Sequence, residues 1–478
     1  MAATPSGTRA YFERMKTKGI NVQFGPLGAT DLLVSRVGFG GYRIHEFEPD
    51  HREALREALT SGCNLIDTST NYGDGSSEKL VGEVLNELFG KDQLRREEVV
   101  VVTKVGYVQG ENLTEAKARI TQGTPFPEMV EFQSDCWHNI SPAFLEEQIS
   151  KSLQRMNLST IDVLLLHNPE YYMKSSGSRD TYYQRIEKAF RHLESERSKG
   201  RIRHYGISSN TFPEQESRSD FTSLSRVIEI ATAVGKPNHF AVIQLPFNLF
   251  ESGAALVPNN NRETVLEAAG KARLAVLTNR PFNAFQTGRL MRLTSFPPHD
   301  EVETKGNLHT TLGRAIELER SAPGYPKAQQ GFQWAHMLRD RLGDLDDLLA
   351  WREVLYQQIF PSIRQAVSRL NPPNETWVND FQNTMQELLS LVTKDLEHLA
   401  GQKAKLFDEQ LVGLAPELSS SPTLSQKVLR LYTSFPQVSS VLVGMRTPAY
   451  VKDALATQGP IPTETAHKVL SRFQRFRS

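Results

Sequence analysis

The sequence predicts an α/β fold: a closed barrel of eight parallel strands with helices outside. Three observations carry this reading. Short apolar runs alternate with amphipathic helical segments along most of the chain, the order that builds parallel sheets. The strand-like runs number eight, which closes a (β/α)8 TIM barrel rather than extending an open sheet. Three consecutive runs also end in ionisable residues: Leu65-Ile66 in Asp67, Val99–Thr103 in Lys104, and Val163–Leu166 in His167. In a parallel barrel every strand C-terminus opens onto one rim, so Asp67, Lys104 and His167 converge there with Tyr72.

Residues 1–20 are polar and read as a loosely held arm or short helix. Asn21–Phe24 and Leu32–Val34 flank a turn rich in glycine and containing proline, the pattern of a β-hairpin ahead of the barrel. Val37–Gly41 is the first strand, its glycines permitting close approach of a ligand. Helix Pro49–Thr60, strand 64–68, helix Ser76–Leu88 and strand 99–105 follow. Gly106–Asn139 is too long for an ordinary connection and reads as an irregular functional loop over the rim. Ser141-Pro142 then starts an amphipathic helix through Phe144–Met156. Strand Asp162–Leu166, helix Tyr182–Ser198 with Gly200 as its C-cap, and strand His204–Ser208 come next. Helix Phe221–Val234, strand Phe240–Leu245, helix Arg262–Ala272 and strand Leu274–Thr278 continue the alternation. The eighth strand, Val438–Val443, comes much later, with a helix from Pro448.

The chain has 478 residues, roughly twice the ~250 of one barrel. The surplus lies before the last strand. Leu345–Leu370 and Glu375–Leu399 carry leucines at spacings of three and four, separated by Asn371-Pro372-Pro373-Asn374. They read as an antiparallel helical pair inserted after strand 7, either a packing or dimerisation element or a substrate lid. The expected organisation is an arm over 1–20, the first part of the barrel over 21–282, a mostly helical insertion over 283–423 and barrel completion over 424–478. A formal net charge of zero, with scattered lysines and arginines, gives no nucleic-acid or anionic-membrane surface. Cys63 and Cys136 are too few for a disulfide framework or zinc cage and fit a reducing compartment. Met1–Gly19 lacks a signal-peptide core and no run approaches 18 apolar residues, so a cytoplasmic protein is expected. An organelle-targeting arm in Met1–Arg14 is the alternative.

Several motifs together resemble the aldo-keto reductase family across Val22–Phe282 and Leu424–Ala456. They are Asp67–Gly73 (the family's D-T-A-x-x-Y-G type), Thr103-Lys104, Ile161–His167, Gly200–Ser208, Gln244 with Asn248, and Val441–Gly444. The resemblance implies a long member with a helical insertion before the last barrel strand. It also implies a nicotinamide cofactor held at the rim without a Gly-x-Gly-x-x-Gly fingerprint.

The residues suit carbonyl reduction, which needs hydride at carbon and a proton at oxygen. A tyrosine is a poor acid at neutral pH. A nearby ammonium stabilises its phenolate, and a carboxylate anchors the ammonium. Tyr72, Lys104 and Asp67 fit those roles. His167 could bond the carbonyl oxygen, orient the substrate or relay the proton. Singly, each has a plainer explanation: a cap for Asp67, a solvated strand end for Lys104, packing for Tyr72 and a satisfied core histidine for His167. By resemblance, the cofactor would be held by Gly41, Ser208, Ser209 or Asn210, Gln244, a stacking Phe247 that could equally be core, Arg280, Gly444 and Arg446. Arg280 stands where the family has serine, and could meet a pyrophosphate or pair with an acid. Tyr450 and Ala454 depart from the family's adenine contacts. Arg446 favours NADPH by reaching a 2′-phosphate, with NADH as the alternative. Tyr42, Trp137 and His138 are the expected substrate-pocket residues.

The leading expectation is an NAD(P)H-dependent oxidoreductase interconverting a carbonyl and an alcohol, with a small-molecule substrate and no metal. A homo-oligomer could form through the insertion. The competing expectation is a cofactor-binding regulatory or scaffold subunit that uses the insertion to hold a partner. A metal-dependent hydrolase needs more histidines and carboxylates at strand ends than Asp67 and His167.

Overall fold

A computed structural model describes the chain except residues 176, 287–288, 296–300, 323–331, 371–373 and 475–478. Eight strands form a closed parallel barrel: β1 (Val37–Gly40), β2 (Leu65–Asp67), β3 (Val100–Val105), β4 (Ile161–His167), β5 (Ile202–Ser208), β6 (Phe240–Pro246), β7 (Ala275–Asn279) and β8 (Val438–Val443). Neighbours in the barrel are neighbours in sequence, and β8 closes it against β1 through Val441–Val37 and Val443–Phe39 pairings.

Strand side chains alternate between faces. Leu65, Val100, Val102, Val163, Leu165, Val242, Ala275 and Leu277 fill the interior as one buried cluster. Continuing that period of two toward the strand C-termini brings Asp67, Lys104, His167, Ser208, Gln244 and Asn279 onto the same inward face. The apolar layers thus end in a polar one, where the backbone no longer needs side chains to fill space.

The opposite end is closed by the hairpin Phe24–Pro26 and Leu33–Ser35, whose Leu27 and Val34 join the interior cluster. Its strands lie later than the sequence pattern suggests, with Gly25 and Pro26 inside the first strand rather than in the turn. The N-terminal segment is a helix, Pro5–Thr17, capped by the Thr4 side chain on Gly7 N. It is docked rather than loose: Tyr11 is fully buried and its hydroxyl donates to Leu59 O at 2.7 Å.

Residues 106–139 are ordered structure, not irregular loop. They hold a helix, Gly110–Thr121, and a three-stranded antiparallel sheet of Tyr107–Val108, Val130–Gln133 and Cys136–His138. The helix buries only Asn112, Leu113 and Ala116, and the strands are short, so neither gives a periodic signal.

The chain divides into two compact units, Met1–Leu293 with Leu414–Ser478, and Thr294–Gly413. The second is helical: Glu301–Arg320, Trp334–Arg341, Leu348–Val354, Phe360–Ser368 and the 40-residue Glu375–Leu414. Trp377, Phe381, Met385, Leu388, Val392 and Leu396 form a stripe of spacing three to four that carries its core. In place of one helix over Leu345–Leu370, a π-helical turn at Leu355–Ile359 precedes Pro361, which has no N–H for the regular ladder. The Asn371–Pro373 part of the expected separator lies outside the described residues. Among the described residues no helix is long and apolar enough to cross a membrane.

Candidate active site

β2 and β3 lie side by side, with Asp67 paired to Val102. Lys104, two residues further along β3, therefore reaches back over the end of β2. Its Nζ donates to Asp67 Oδ2 at 2.7 Å, to Thr68 O at 2.8 Å and to Tyr72 Oη at 3.1 Å. Three acceptors match the three hydrogens of an ammonium. Lys104 is fully buried and Asp67 nearly so. Burial works against the Lys104 charge, yet Asp67 and Tyr72 raise its pKa overall. Burial raises the Asp67 pKa, opposed by Lys104 and Gln244. Gln244 Nε2 donates to Asp67 Oδ1 at 2.7 Å, so both carboxylate oxygens meet donors and the pair is ionised.

Tyr72 is likewise raised, because burial outweighs the pull of Lys104. The expected lowering by the ammonium is present but loses to desolvation. The phenol is therefore held protonated at neutral pH, with Lys104 beside the oxygen to stabilise the charge left when the proton departs.

His167, at the end of β4, has Nδ1 3.1 Å from Ser69 Oγ. Burial, then Lys104 and His138, push its pKa well below the ordinary value, so the ring is neutral. Its edge faces Tyr72 and Tyr107, with ring centroids 6.0 and 4.7 Å away. His138 is buried beneath it, its Nε2 2.8 Å from His167 O. Burial drives His138 down to about 4, so it too stays neutral.

Over these groups opens a cavity of about 580 Å³. Of the sequence-predicted residues, Asp67, Tyr72, His167, Ser208, Asn210, Arg280, Gly444, Arg446 and Tyr42 line it. Lys104 and Gln244 lie in the layer beneath. Tyr42 is 62% exposed with its ring 5.1 Å from Tyr72.

Other expected positions are corrected. Ser209 follows the inward Ser208 and is turned outward, onto Thr211 and Thr222. Phe247 is core: fully buried, with Tyr432 and Phe435 rings 5.7 and 5.3 Å away. Trp137 is buried off the cavity beneath Lys117, while its neighbour Cys136 lines the wall. His138 is buried behind the wall rather than in it. Gly41 serves packing: its N–H donates to Asp67 O, and a Cβ there would stand 2.7 Å from Ser77 Oγ.

Arg280 adopts a left-handed backbone with φ 55°. Its guanidinium meets Glu251 at 3.0 Å and Asn210 Oδ1 at 2.7 Å, the acid-paired alternative. Nearby, Asn279 Oδ1 and Asn283 Oδ1 are buried without hydrogen-bond partners. A Cβ on Gly444 would meet open space. These groups could hold a molecule offering amide or hydroxyl donors. Among the described residues no His, Cys, Asp and Glu cluster could hold a metal.

Sequence reasoning missed Tyr107, Asn168, Tyr171, Asn71 and Gln109, all in the lining. Tyr107 and Asn168 stand just past β3 and β4, where the rule that singled out Lys104 and His167 would have found them. Asn168 Nδ2 donates to Tyr107 Oη at 2.7 Å. Glu170 was missed too: buried, and pushed by that burial up to about 7, it accepts Asn210 N–H at 2.9 Å.

A family model described as Aldo/keto reductase family matches residues 36–266. The NADH-specific methylglyoxal reductase of Escherichia coli (strain K12) is 33% identical over 150 residues, 30% of this chain and 40% of the relative. The L-galactose dehydrogenase of Arabidopsis thaliana is 30% identical over 191 residues, 39% of this chain and 48% of the relative. The chain thus spans less than half the length of either relative. The holo form of an aldo-keto reductase from Bacillus halodurans aligns over 96% of this chain and 97% of its own, at 17% identity and a TM-score of 0.49. Over residues 36–266 the chain belongs to the aldo/keto reductase family.

Proposed function

We propose that the protein is an NAD(P)H-dependent oxidoreductase that interconverts a carbonyl and an alcohol, with Tyr72 as proton donor. One observation carries this reading: Tyr72 Oη at the cavity floor, 3.1 Å from the buried ammonium of Lys104, which Asp67 neutralises. A nicotinamide dinucleotide, when bound, supplies or accepts the hydride. Asn279, Asn283, Ser208, Asn210, Gly444 and Arg446 would hold it, the orphaned Asn279 and Asn283 acceptors fitting its amide and hydroxyl donors. Arg446 supports NADPH, whereas the E. coli relative is named for NADH.

The chain's own residues do the rest. Tyr72 hydrogen-bonds the substrate oxygen and gives it a proton at Oη. Lys104 stabilises the phenolate that remains. Asp67 keeps Lys104 charged, and Gln244 keeps Asp67 in place. His167 and Tyr107 wall the substrate side and exclude water from Tyr72.

Titrating the protein with NADPH and NADH, following its intrinsic fluorescence, and then assaying a panel of aldehydes and ketones tests the proposal. Binding followed by turnover that Tyr72→Phe abolishes is the expected result. Binding without turnover of any carbonyl would favour a cofactor-binding subunit.

A further inference from the structure

Among the described residues Arg96, Arg185 and Arg430 are the buried arginines, and two of them face an acid. Arg96 Nη2 lies 2.7 Å from Asp162 Oδ2, and Arg185 Nη1 lies 3.6 Å from Glu128 Oε2. Arg430, on helix Leu424–Thr433, is 8% exposed, and no described carboxylate stands in ion-pair range of it. Its bonds go to neutral oxygens. Nε donates to Gly459 O at 2.9 Å, and Nη1 to Glu417 O at 2.9 Å, Ser420 Oγ at 2.8 Å and Ser421 Oγ at 3.0 Å. Nη1 thus divides two hydrogens among three acceptors, while the two on Nη2 meet no described protein acceptor. Burial works against the charge, and only the more distant Glu417 favours it. A guanidinium taken out of water without a counter-charge is costly. Ser420 is placed to carry one. It ends the short helical turn Pro416–Ser420 and is exposed, with its Oγ already against Nη1. Ser421 is 1% exposed, and the Ser419 hydroxyl goes to Pro416 O at 2.7 Å instead of the arginine.

We propose that Ser420 is a phosphorylation site, whose phosphoryl group gives Arg430 its missing counter-charge and pins the Pro416–Ser421 turn to helix Leu424–Thr433. A protein kinase transfers the γ-phosphoryl group of a nucleoside triphosphate to Ser420. The Oγ–P bond forms as the bond to the β-phosphate oxygen breaks, the hydroxyl proton is released, and the nucleoside diphosphate leaves. The product carries nearly two negative charges and three acceptor oxygens. These oxygens take the unused Nη2 hydrogens in charge-assisted bonds, about twice as strong as the neutral contact they replace. The 2.9 Å bond between Ser420 Oγ and the Gln458 amide is given up. Glu417 opposes the added charge, while Asp453 is turned to Thr423 Oγ1 and Gln426 Nε2 at 2.7 and 3.0 Å. The pinned helix bears on the barrel. Its Tyr432 hydroxyl accepts Leu249 N–H and donates to Pro281 O, each at 3.2 Å, and so holds the segments that follow β6 and β7.

Full-length protein made with phosphoserine at position 420 and followed by ³¹P NMR against pH tests the pocket. With Arg430 in contact the phosphate should titrate near about 5 rather than about 6, and Arg430→Gln should return it to the higher value. Phosphoserine placed instead at the exposed Ser419 should titrate at the higher value with Arg430 intact, a comparison that stands even where Arg430→Gln does not fold. Equal titration at 419 and 420 overturns the proposal. Inorganic phosphate is the other source of such an anion. Millimolar phosphate added to unmodified protein should keep a sharp ³¹P line, whereas broadening that Arg430→Gln removes would assign the pocket to a free anion and overturn the covalent reading. Incubating the unmodified protein with nucleoside triphosphate and an extract of cells that express it, then mapping peptides by mass spectrometry, should place the phosphoryl group on Ser420, and Ser420→Ala should lose it. A group mapped elsewhere in this segment, or none, overturns the proposal.

Discussion

Gln244 Nε2 and Lys104 Nζ each stand 2.7 Å from a different oxygen of Asp67, so that neither carboxylate oxygen lacks a donor. The Gln244 oxygen is met in turn by Ser208 Oγ at 3.0 Å. The glutamine that the family resemblance assigns to the nicotinamide amide is therefore committed to the carboxylate. Gln244→Met should lower stability by about 1.5–3 kcal/mol, the value of a hydrogen bond to a buried charge. Dinucleotide affinity should change less than about threefold. Urea unfolding and fluorescence titration measure the two.

Tyr72→Phe removes the transferable proton together with one of the three acceptors of the buried Lys104 ammonium, whose bonds to Asp67 and Thr68 O remain. Turnover should fall by about 10²- to 10⁴-fold, the usual worth of a general acid. Dinucleotide affinity should stay close to wild type. Steady-state kinetics beside the same titration would show the split.

Lys104→Met strands the Asp67 carboxylate in the barrel interior. Breaking a buried ion pair from one side costs about 3–5 kcal/mol. Adding Asp67→Leu removes the stranded charge, so the double variant should recover much of the loss. A urea-unfolding cycle over the four proteins tests this, and equal stability of the single and double variants would contradict the buried-charge account.

Two buried groups give opposite pH dependences. His138 is held down at about 4, against an unfolded value of about 6.5. Between those values the unfolded chain binds the extra proton, so this contribution is complete above about 6.5 and is lost as pH falls toward 4. Glu170 is held up at about 7. The native state keeps its proton while the unfolded carboxyl releases it, so its contribution is complete below about 4.5 and is lost as pH rises through 7. Each slope is about 1.4 kcal/mol per pH unit within its window. Glu170→Gln should therefore steepen the loss of stability on going from pH 6.5 to 5, because the opposing slope is gone. Urea midpoints at pH 5, 6, 7 and 8 for both proteins measure this.

The polar layer at the rim was legible because strand alternation is rigid. Once β2, β3 and β4 are placed, Asp67, Lys104 and His167 can only point inward at one level. Past the strand ends alternation stops deciding: Asn168 and Ser209 each follow an inward side chain, yet Asn168 lines the cavity while Ser209 bonds Thr211 and Thr222 and Phe247 packs on Tyr432 and Phe435. Trp137 and His138 were harder, because the excursion holding them gives no period of its own. The Gln244–Asp67 bond was not legible at all. It joins residues 177 positions apart, and its existence depends on how a barrel of this shear sets β2 opposite β6.

The last barrel strand follows the whole helical unit in the sequence. Roughly 160 residues separate Asn279 at the end of β7 from Val438 at the start of β8. At ribosomal rates of about 5–20 residues per second, that is a wait of roughly 8–30 s. For that interval a nascent chain presents a seven-stranded sheet with two open edges, β1 and β7. The helical unit has time to fold before β8 arrives, while the exposed edges of the first strands wait for a chaperone, a neighbour or the end of the message. Shortening the segment between β7 and β8 would thus alter the yield of folded protein made in cells more than the stability of the protein once made.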